Sequence, residues 1–361
     1  MSMLPSVMGL LGVSSPVAVA CLVVALVVWR RHRRALAAET KLPNGMTINH
    51  LRKTETDLLY NEIFGGDCYR LPEGDLDAAN MSIQLQPGDV VVDVGANIGM
   101  FALWAAWHEQ VAGKVRVLSY ECVPSTHAVL AKNAKRHTQG ECQLEAFAYG
   151  LSDAERTATI YHHPNFSIWS TSKRDMDGAR DAMLRENLPH LANRASADRG
   201  AALRWLPTGL FHSLVCWGGG RIIGALNKVE AVSCRFRRLS DAVFVEGGVE
   251  RVALLKVDVE GAELDVLKGI DADHWRCIEQ VAMEVENDDL AAQVTNLLQA
   301  QGFRVRTWRS GDMERLLPTS QVKQLLAKRA DLVAGRATAG GGTKGAIGRR
   351  ATSPARRGRT N

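Results

Sequence analysis

The distribution of apolar residues predicts alternating strands and helices through most of the chain. Six short runs rich in β-branched and other apolar residues are typical of strands buried on both faces of a sheet. They are Val90–Val94, Val115–Tyr120, Leu144–Tyr149, Val252–Val259, Ile278–Val285 and Phe303–Trp308. Stretches with helical periodicity separate them, at Ile98–His108, Pro124–His137, Ala262–Leu267 and Leu290–Ala300. This alternation predicts an α/β, Rossmann-like fold, in which helices cover both faces of a parallel sheet.

The segments around this pattern define the domain organisation. We place the alternating domain at residues 85–330 and interpret residues 35–84 as a connector with a helical lead-in. An insert at residues 165–232 is too long for an ordinary loop. Its first half is polar with a predicted helix, and its second half is apolar and glycine-rich. Two interpretations of the insert stay open, a lid or substrate-recognition element and a plain structural elaboration. The Gly/Ala/Arg-rich residues 331–361 are predicted to be a disordered basic tail.

Residues 1–34 have the pattern of a membrane anchor with a basic flank. The stretch from Val7 to Trp29 is uncharged over 23 residues, which as a helix would measure about 35 Å, enough to cross a bilayer core. Four arginines between Arg30 and Arg34 follow it directly. A cleavable signal carries its positive charge before the apolar run, not after it. The positive-inside rule therefore predicts a single-pass membrane protein with a cytosolic catalytic domain. A cleaved signal and a mitochondrial targeting segment stay open as alternatives.

Charge and cysteine content narrow the possible partners. The chain has a net charge of +5, but seven basic residues and no acid lie in residues 335–361, and four arginines and no acid lie in residues 1–34. The remaining chain is therefore acidic, which argues against a nucleic-acid-binding domain. The seven cysteines form no C-x-x-C pair, so we expect free thiols in a reducing compartment rather than disulfides or a zinc site.

A glycine-rich turn directly follows the first predicted strand. The sequence Asp93-Val-Gly-Ala-Asn-Ile-Gly99 places Gly95 at a tight turn and Gly99 where the next helix starts. Exposed N–H groups at such a helix start can bind a carboxylate, and Asp93 can accept hydrogen bonds from a ligand ammonium. Ala96 and Asn97 stand where a dinucleotide-binding loop has a second phosphate-facing glycine. The loop therefore suits a ligand that carries an amino acid better than a pyrophosphate.

Glu121 ends the second predicted strand, 22 residues past Gly99. An acid at this position can accept hydrogen bonds from both hydroxyls of a ribose. Together, the loop and Glu121 predict a site for a nucleoside that carries a charged amino acid, which is S-adenosylmethionine. The alternative is a glycine turn in a Rossmann-like domain that binds no cofactor, with a glutamate present by chance.

Four motifs, in order and at matching spacing, resemble the FkbM-type methyltransferase family. They are Val91–Gly99, Tyr120–Ser125 with Leu130–Asn133, Gly150–Asp153, and Leu255–Glu263. The resemblance covers about residues 85–290 and implies a class I methyltransferase sheet with Ser152 and Asp153 in the cofactor site. It also implies methyl transfer, usually to a hydroxyl oxygen of a sugar, lipid or other small molecule. The long insert and the N-terminal anchor depart from the family pattern and leave the acceptor open.

Acidic residues at the ends of two predicted strands should converge on one cleft, and those of the first strand are candidates for catalysis. Glu284 and Glu286 lie at the end of the second, Ile278–Val285. Lys256, Asp258 and Glu260 share one side of their strand, with the two acids at its carboxyl end beside the predicted methyl donor. Our hypothesis is that Glu260 or Asp258 removes the acceptor's proton while Lys256 holds an acid in position. In the alternative, Lys256 and Asp258 form a structural ion pair and Glu260 caps the next helix.

Two other groups of residues receive weaker interpretations. Asp258, Glu286 and Asn287 could together offer oxygen ligands to Mg²⁺, but we assign no residue as a metal ligand. His162 and His163 are expected in an exposed loop and receive no role.

Two further functions stay open for the whole chain. One is a nicotinamide-dependent oxidoreductase, which the missing G-x-G-x-x-G disfavours. The other is a non-catalytic membrane-tethered scaffold.

Overall fold

The computed structural model describes residues 38–333, except 66–68, 73, 76, 109, 112, 165, 175–177, 179–180, 184, 188, 190–206, 211, 214–215, 217–227 and 310–318. Its helices are α1 (Lys53–Phe64), α2 (Ala78–Met81), α3 (Met100–Ala106), α4 (Pro124–His137), α5 (Glu263–Lys268) and α6 (Asp288–Ala300). Its strands are β1 (Ala38–Lys41), β2 (Thr47–His50), β3 (Asp89–Val94), β4 (Val115–Tyr120), β5 (Gln143–Phe147), β6 (Gly150–Ser152), β7 (Arg156–His162), β8 (Glu230–Arg238), β9 (Leu254–Val257), β10 (Gln280–Val285), β11 (Phe303–Trp308) and β12 (Lys323–Arg329).

A seven-stranded sheet forms the centre of the fold, in the order β11-β12-β10-β9-β3-β4-β5. The neighbours from β10 through β5 pair in parallel. This arrangement confirms the predicted Rossmann-like fold. The prediction that β11 is the last strand was wrong, because β12 inserts between β10 and β11 and runs antiparallel to both.

Apolar side chains of the central strands pack against helices on both faces of the sheet. Val91 belongs to the core beneath α3 and α4, whereas its neighbour Val92 belongs to the core beneath α5 and α6. Leu254 and Leu255 on β9 divide in the same way. Successive residues of a strand point to opposite faces, so a continuous apolar run is what a sheet covered on both sides requires.

Smaller elements at the edge of the domain were not predicted. The segment interpreted as a connector contains a hairpin of β1 and β2, and β2 packs on α4. After β5, a second sheet forms in the order β6-β8-β7. Because β8 begins at Glu230, the predicted insert ends inside this sheet rather than before it. Within the insert's polar half, residues 181–183 and 185–187 are helical as predicted.

The two chain ends and most of the apolar half of the insert lie outside the described residues. This applies to the predicted anchor at residues 1–34 and to the predicted tail, except residues 331–333, which are helical. Within the described ranges, no helix combines the length and the apolar character needed to cross a bilayer. The described cysteines are free thiols, as expected from their spacing: Cys122, Cys142, Cys216, Cys234 and Cys277.

Candidate active site

A cavity of about 1260 Å³ opens where β3, β4, β9 and β10 end. The carboxyl ends of parallel strands are where open α/β sheets bind their ligands. Eight residues that the sequence singled out for the cofactor or for catalysis line this cavity. They are Gly95, Ala96, Asn97, Glu121, Ser152, Lys256, Asp258 and Glu260. The structure therefore brings most of the predicted site residues to one place.

The loop between β3 and α3 is fixed in a conformation that requires glycine. Gly95 has φ +76, and a Cβ atom there would lie 1.8 Å from the backbone oxygen of Asp258. Gly99 has φ +90, and a Cβ atom would lie 2.8 Å from a methyl carbon of Leu130 on α4. The N–H groups of Gly95 and Ala96 both donate to the backbone oxygen of Tyr120. The loop is thus packed tightly between the ends of β4 and β9. Gly99 does not line the cavity. It contributes through its close packing against Leu130 on α4.

Glu121 joins the cofactor loop to the end of β4. It is 8% exposed, and its two carboxylate oxygens each accept one backbone N–H, from Asn97 at 3.0 Å and from Val123 at 2.8 Å. Burial raises the pKa of Glu121 to about 7, against the opposing effect of these two hydrogen bonds. Each oxygen keeps a lone pair, so the carboxylate can still accept hydrogen bonds from ligand hydroxyls in the cavity.

Lys256 is a buried cation that links β3 to β9. Its ammonium lies 3.2 Å from a carboxylate oxygen of Asp93 and 3.4 Å from one of Asp258, and it donates to the backbone oxygen of Gly95 at 2.8 Å. Burial alone would lower the pKa of Lys256, but the two carboxylates outweigh it and raise the pKa well above its ordinary value. Asp93 is 0% exposed and does not line the cavity. The ammonium that Asp93 contacts in this structure belongs to Lys256.

Glu260 lies in a strained turn directly after β9. Its φ of +57 is in the left-handed region, which side-chain-bearing residues rarely adopt. Glu263 stabilises the turn, because one of its carboxylate oxygens accepts the N–H of Val259 at 3.3 Å and that of Gly261 at 3.0 Å. Burial, followed by the nearby charge of Glu286, raises the pKa of Glu263 to about 8. The sequence motif contained Glu263, but no role was predicted for it.

Two further acids, Glu62 and Glu284, face the cavity near Asp258. Burial and the charge of Asp258 raise the pKa of Glu62, on α1, to about 7. The same two causes raise the pKa of Glu284, at the end of β10, well above its ordinary value, and Gln324 donates to its carboxylate at 2.6 Å. Glu284 was expected in this cleft. Glu62 was missed, because only the tertiary fold brings α1 to the sheet.

Ser152, at the end of β6, and the adjacent Asp153 are placed differently. Ser152 is buried and lines the cavity, whereas Asp153 points away from it and forms an ion pair with Arg156 that lowers the pKa of Asp153. Arg156 also donates to the Ser152 hydroxyl at 2.8 Å and itself lines the cavity. Arg156 is a site residue that the sequence reasoning missed. Its position four residues after Ser152 was the available signal.

The expectation that His162 and His163 are exposed was wrong. Both are buried, because the second sheet and the segment after it cover them. His162 forms a hydrogen bond between Nδ1 and the Ser170 hydroxyl at 2.9 Å, and burial lowers its pKa. Neither histidine lines the cavity.

The magnesium interpretation finds no support in the geometry. In the part of the chain that the structure describes, no group of three or more His, Cys, Asp or Glu side chains is placed to hold a metal ion. The side-chain oxygen of Asn287 accepts the N–H of Leu290 at 2.9 Å and so caps α6. Asp258 and Glu286 line the cavity without forming a metal site with it.

Comparisons with known proteins match this chain to methyltransferases. The family described as the methyltransferase FkbM domain matches residues 212–305. The 31-O-demethyl-FK506 methyltransferase FkbM of Streptomyces tacrolimicus is 34% identical over 80% of this chain and 96% of its own length. Methyltransferase sdnD of Sordaria araneosa is 29% identical over 78% of this chain and 93% of its own length.

A third relative is far longer than this chain. The AMB antimetabolite synthetase AmbE of Pseudomonas aeruginosa is 34% identical over 74% of this chain, but the match spans only 11% of that synthetase. The shared region is therefore one part of a larger protein there, whereas the S. tacrolimicus enzyme matches over nearly its whole length. The chain belongs to the FkbM-type family of S-adenosylmethionine-dependent methyltransferases.

Proposed function

We propose that this chain methylates a hydroxyl oxygen of a small-molecule, sugar or lipid acceptor. The observation that carries the proposal is that residues 95–97 of the glycine loop, Glu121 and the acids after β9 line a single cavity. A donor held by the loop and an acceptor held by the acids would therefore share one cavity. Placing two reactants together in this way is the main catalytic contribution available to a methyltransferase.

The residues present fit the methyl donor by their chemistry. The buried carboxylate of Glu121 suits ribose hydroxyls. The N–H groups of residues 95–99 all donate to oxygens within the protein, so the loop contributes its shape beside the donor rather than free N–H groups. Ser152 on β6 and Arg156 on β7 add polar groups to the cavity lining. When bound, S-adenosylmethionine supplies a sulfonium methyl group, whose carbon–sulfur bond breaks as a bond to the acceptor oxygen forms.

Methylation of a hydroxyl also requires that its proton be taken up by a base. Glu260 and Asp258 are the candidates, since both line the cavity at the end of β9. The ion pair to Lys256 fixes the position of Asp258, and the turn capped by Glu263 fixes that of Glu260. We propose Glu260 or Asp258 as the base and Lys256 as the residue that positions Asp258.

Two single variants distinguish the candidate bases. Glu260→Gln and Asp258→Asn each remove a carboxylate while keeping nearly the same shape. The variant that lacks the base should bind S-adenosylhomocysteine as the wild type does and lose methyl transfer by about 100-fold or more. The measurement combines calorimetry with mass spectrometry of extracts supplied with methyl-labelled donor, which also identifies the acceptor. Unchanged transfer in both variants would eliminate both residues as the base.

Two other functions remain to be compared with this one. A nicotinamide-dependent oxidoreductase should be stabilised against heat by NAD, whereas a methyltransferase should be stabilised by S-adenosylhomocysteine. A non-catalytic scaffold should bind the donor or neither ligand and yield no methylated product. The fit of Glu121 and the glycine loop to a nucleoside with an amino acid favours the methyltransferase.

We also propose that residues 1–34 anchor the enzyme to a membrane with the catalytic domain in the cytosol. The support is the uncharged stretch from Val7 to Trp29 and the arginines that follow it. The full chain should stay in the membrane pellet after alkaline extraction, and a chain that begins at residue 35 should be released. Release of both would contradict the anchor.

A further inference from the structure

Two residues other than glycine have a positive φ angle in the described part of the chain. They are Asn97, with φ +49, and Glu260, with φ +57. Asn adopts this region more readily than other side-chain-bearing residues, whereas Glu rarely does, and such a conformation persists where surrounding contacts hold it. Both residues line the cavity, one in the cofactor loop and one beside the candidate base Asp258. The contacts that hold them are therefore of functional interest.

A single segment, residues 166–172, contacts both of these residues. The Asn97 side-chain amide donates to the Ser167 hydroxyl at 3.1 Å. Four residues further on, the Thr171 hydroxyl donates to the backbone oxygen of Glu260 at 2.6 Å. Ser167 is 5% and Thr171 0% exposed. The segment thus spans the distance between the cofactor loop and the turn after β9 with two buried hydroxyl groups.

Further hydrogen bonds hold Ser167 and Thr171 in place. The Ser167 hydroxyl donates to a carboxylate oxygen of Glu55 on α1 at 2.7 Å, and the N–H of Ile168 donates to the same oxygen at 2.9 Å. A hydroxyl has only one proton to donate, so the bond to Glu55 leaves the Ser167 oxygen to accept from Asn97. Thr171 exchanges two backbone hydrogen bonds with Tyr161 on β7, at 2.8 and 3.2 Å.

We propose that Ser167 and Thr171 are positioning residues of the methyltransferase, Ser167 for the methyl donor through Asn97 and Thr171 for proton removal through Glu260. Ser167, backed by Glu55, keeps the cofactor loop in its binding conformation. Thr171, backed by β7, keeps the turn that carries Glu260 in place. This inference rests on the proposed function, since it assigns one end of the segment to the donor and the other to the base.

The test compares Ser167→Ala with Thr171→Val, each of which removes one hydroxyl. Ser167→Ala should weaken binding of S-adenosylhomocysteine on the order of tenfold, because a buried hydrogen bond is lost. Thr171→Val should leave that binding within about twofold and lower the rate of methyl transfer at saturating donor on the order of tenfold. Thr171→Ser keeps the hydroxyl and should restore the rate. A segment with only a structural role would lower the melting temperature without this division between binding and rate.

A matched control is available in Ser119→Ala. The Ser119 hydroxyl is also buried, but it makes no hydrogen bond, so its removal should change neither binding nor rate.

If Ser167→Ala does not fold, Glu55→Ala removes the other partner of the same hydrogen bond, and Glu55→Gln keeps the accepting oxygen. Equal donor binding by wild type, Ser167→Ala and Glu55→Ala would overturn the role of Ser167. An unchanged rate in Thr171→Val would overturn that of Thr171. A wild type that binds no donor would instead refute the proposed function itself.

Discussion

The cavity has two walls that are built in different ways. One wall consists of the strand ends and their loops, from Gly95 to Gly99, at Glu121 and around Asp258, and backbone hydrogen bonds and the buried Lys256 hold it together. The other consists of α1, the small β6-β8-β7 sheet and residues 166–172. Its contacts, such as that between Glu55 and Ser167, join residues that belong to no sequence motif. The first wall follows from short motifs, and the second follows from tertiary packing.

We infer from this difference that the two walls have different roles in the enzyme. The wall of strand ends carries the groups that a methyltransferase needs for its donor. A Cβ atom added at Gly95 would collide with the backbone of Asp258. The opposite wall carries other cavity-lining side chains, such as Glu62 and Trp169. We therefore expect substitutions in the first wall to abolish function. In the second wall, we expect substitutions of Glu62 or Trp169 to change acceptor preference, whereas Ser167 and Thr171 act on donor binding and on the rate.

The largest effect is expected from Gly95→Ala. The added Cβ would lie 1.8 Å from the backbone oxygen of Asp258, so the loop and the end of β9 could not both keep their positions. Binding of S-adenosylhomocysteine should be lost in calorimetry. Gly113→Ala is the matched control, because Gly113 has a similar φ of +78 but open space around it. Equal binding by both variants would show that the contact with Asp258 is unimportant.

A smaller but still large effect is expected from Lys256→Met. The change leaves the buried carboxylate of Asp93 without its cation, and breaking a buried ion pair in this way typically costs about 3–5 kcal/mol. Denaturant titration should show this loss in the free energy of unfolding. The control is Lys53→Met, which removes an exposed ion pair with Asp57 and should cost at most about 1 kcal/mol. Similar losses in both variants would contradict the structural importance of Lys256.

The smallest effect concerns the dependence of stability on pH. Because the pKa of Glu263 is about 8 in the fold and near 4.5 otherwise, the native state binds more protons than the unfolded state between these values. The free energy of unfolding should therefore fall as pH rises from about 5 to 8. Glu121 and Glu62 should add to this slope up to about pH 7.

Glu263→Gln tests this contribution directly. The glutamine keeps an oxygen for the N–H groups of Val259 and Gly261 but cannot ionise, so melting temperature should depend less on pH than in the wild type. Glu250→Gln, at an exposed position, should leave the profile unchanged. A profile for Glu263→Gln as steep as that of the wild type would show that this carboxyl does not titrate in the predicted range.

The sequence predicted the first wall well because its signals are local. The bounds of β4 and α4 match the predicted ones, and the Gly95–Gly99 turn needs only its own glycines and the strand before it. In contrast, β12 was missed. Its sequence, Lys-Gln-Leu-Leu-Ala-Lys-Arg, has polar residues at both ends, and only the pairing with β10 and β11 buries them. Lys328, for example, donates to Gln84 at 3.1 Å, a contact that no local pattern indicates.

The same reasoning explains the errors within the candidate site. Asp93 was predicted to meet a ligand ammonium, and in the fold it pairs with the ammonium of Lys256, 163 positions later in the chain. Glu55, Glu62 and Ser167 carry no motif, and their roles arise from how α1 and the segment after β7 fold over the sheet. Local sequence identified the loop that should hold the donor, but not the residues that hold the loop.

The central claim is that the Gly95–Gly99 loop and Glu121 bind the methyl donor. Isothermal calorimetry of the purified full chain with S-adenosylhomocysteine tests it most directly, with Glu121→Ala and NAD as comparisons. We predict saturable binding at one site per chain, strongly weakened in Glu121→Ala, and no binding of NAD. Absence of binding by the wild type to both S-adenosylmethionine and S-adenosylhomocysteine would contradict the account.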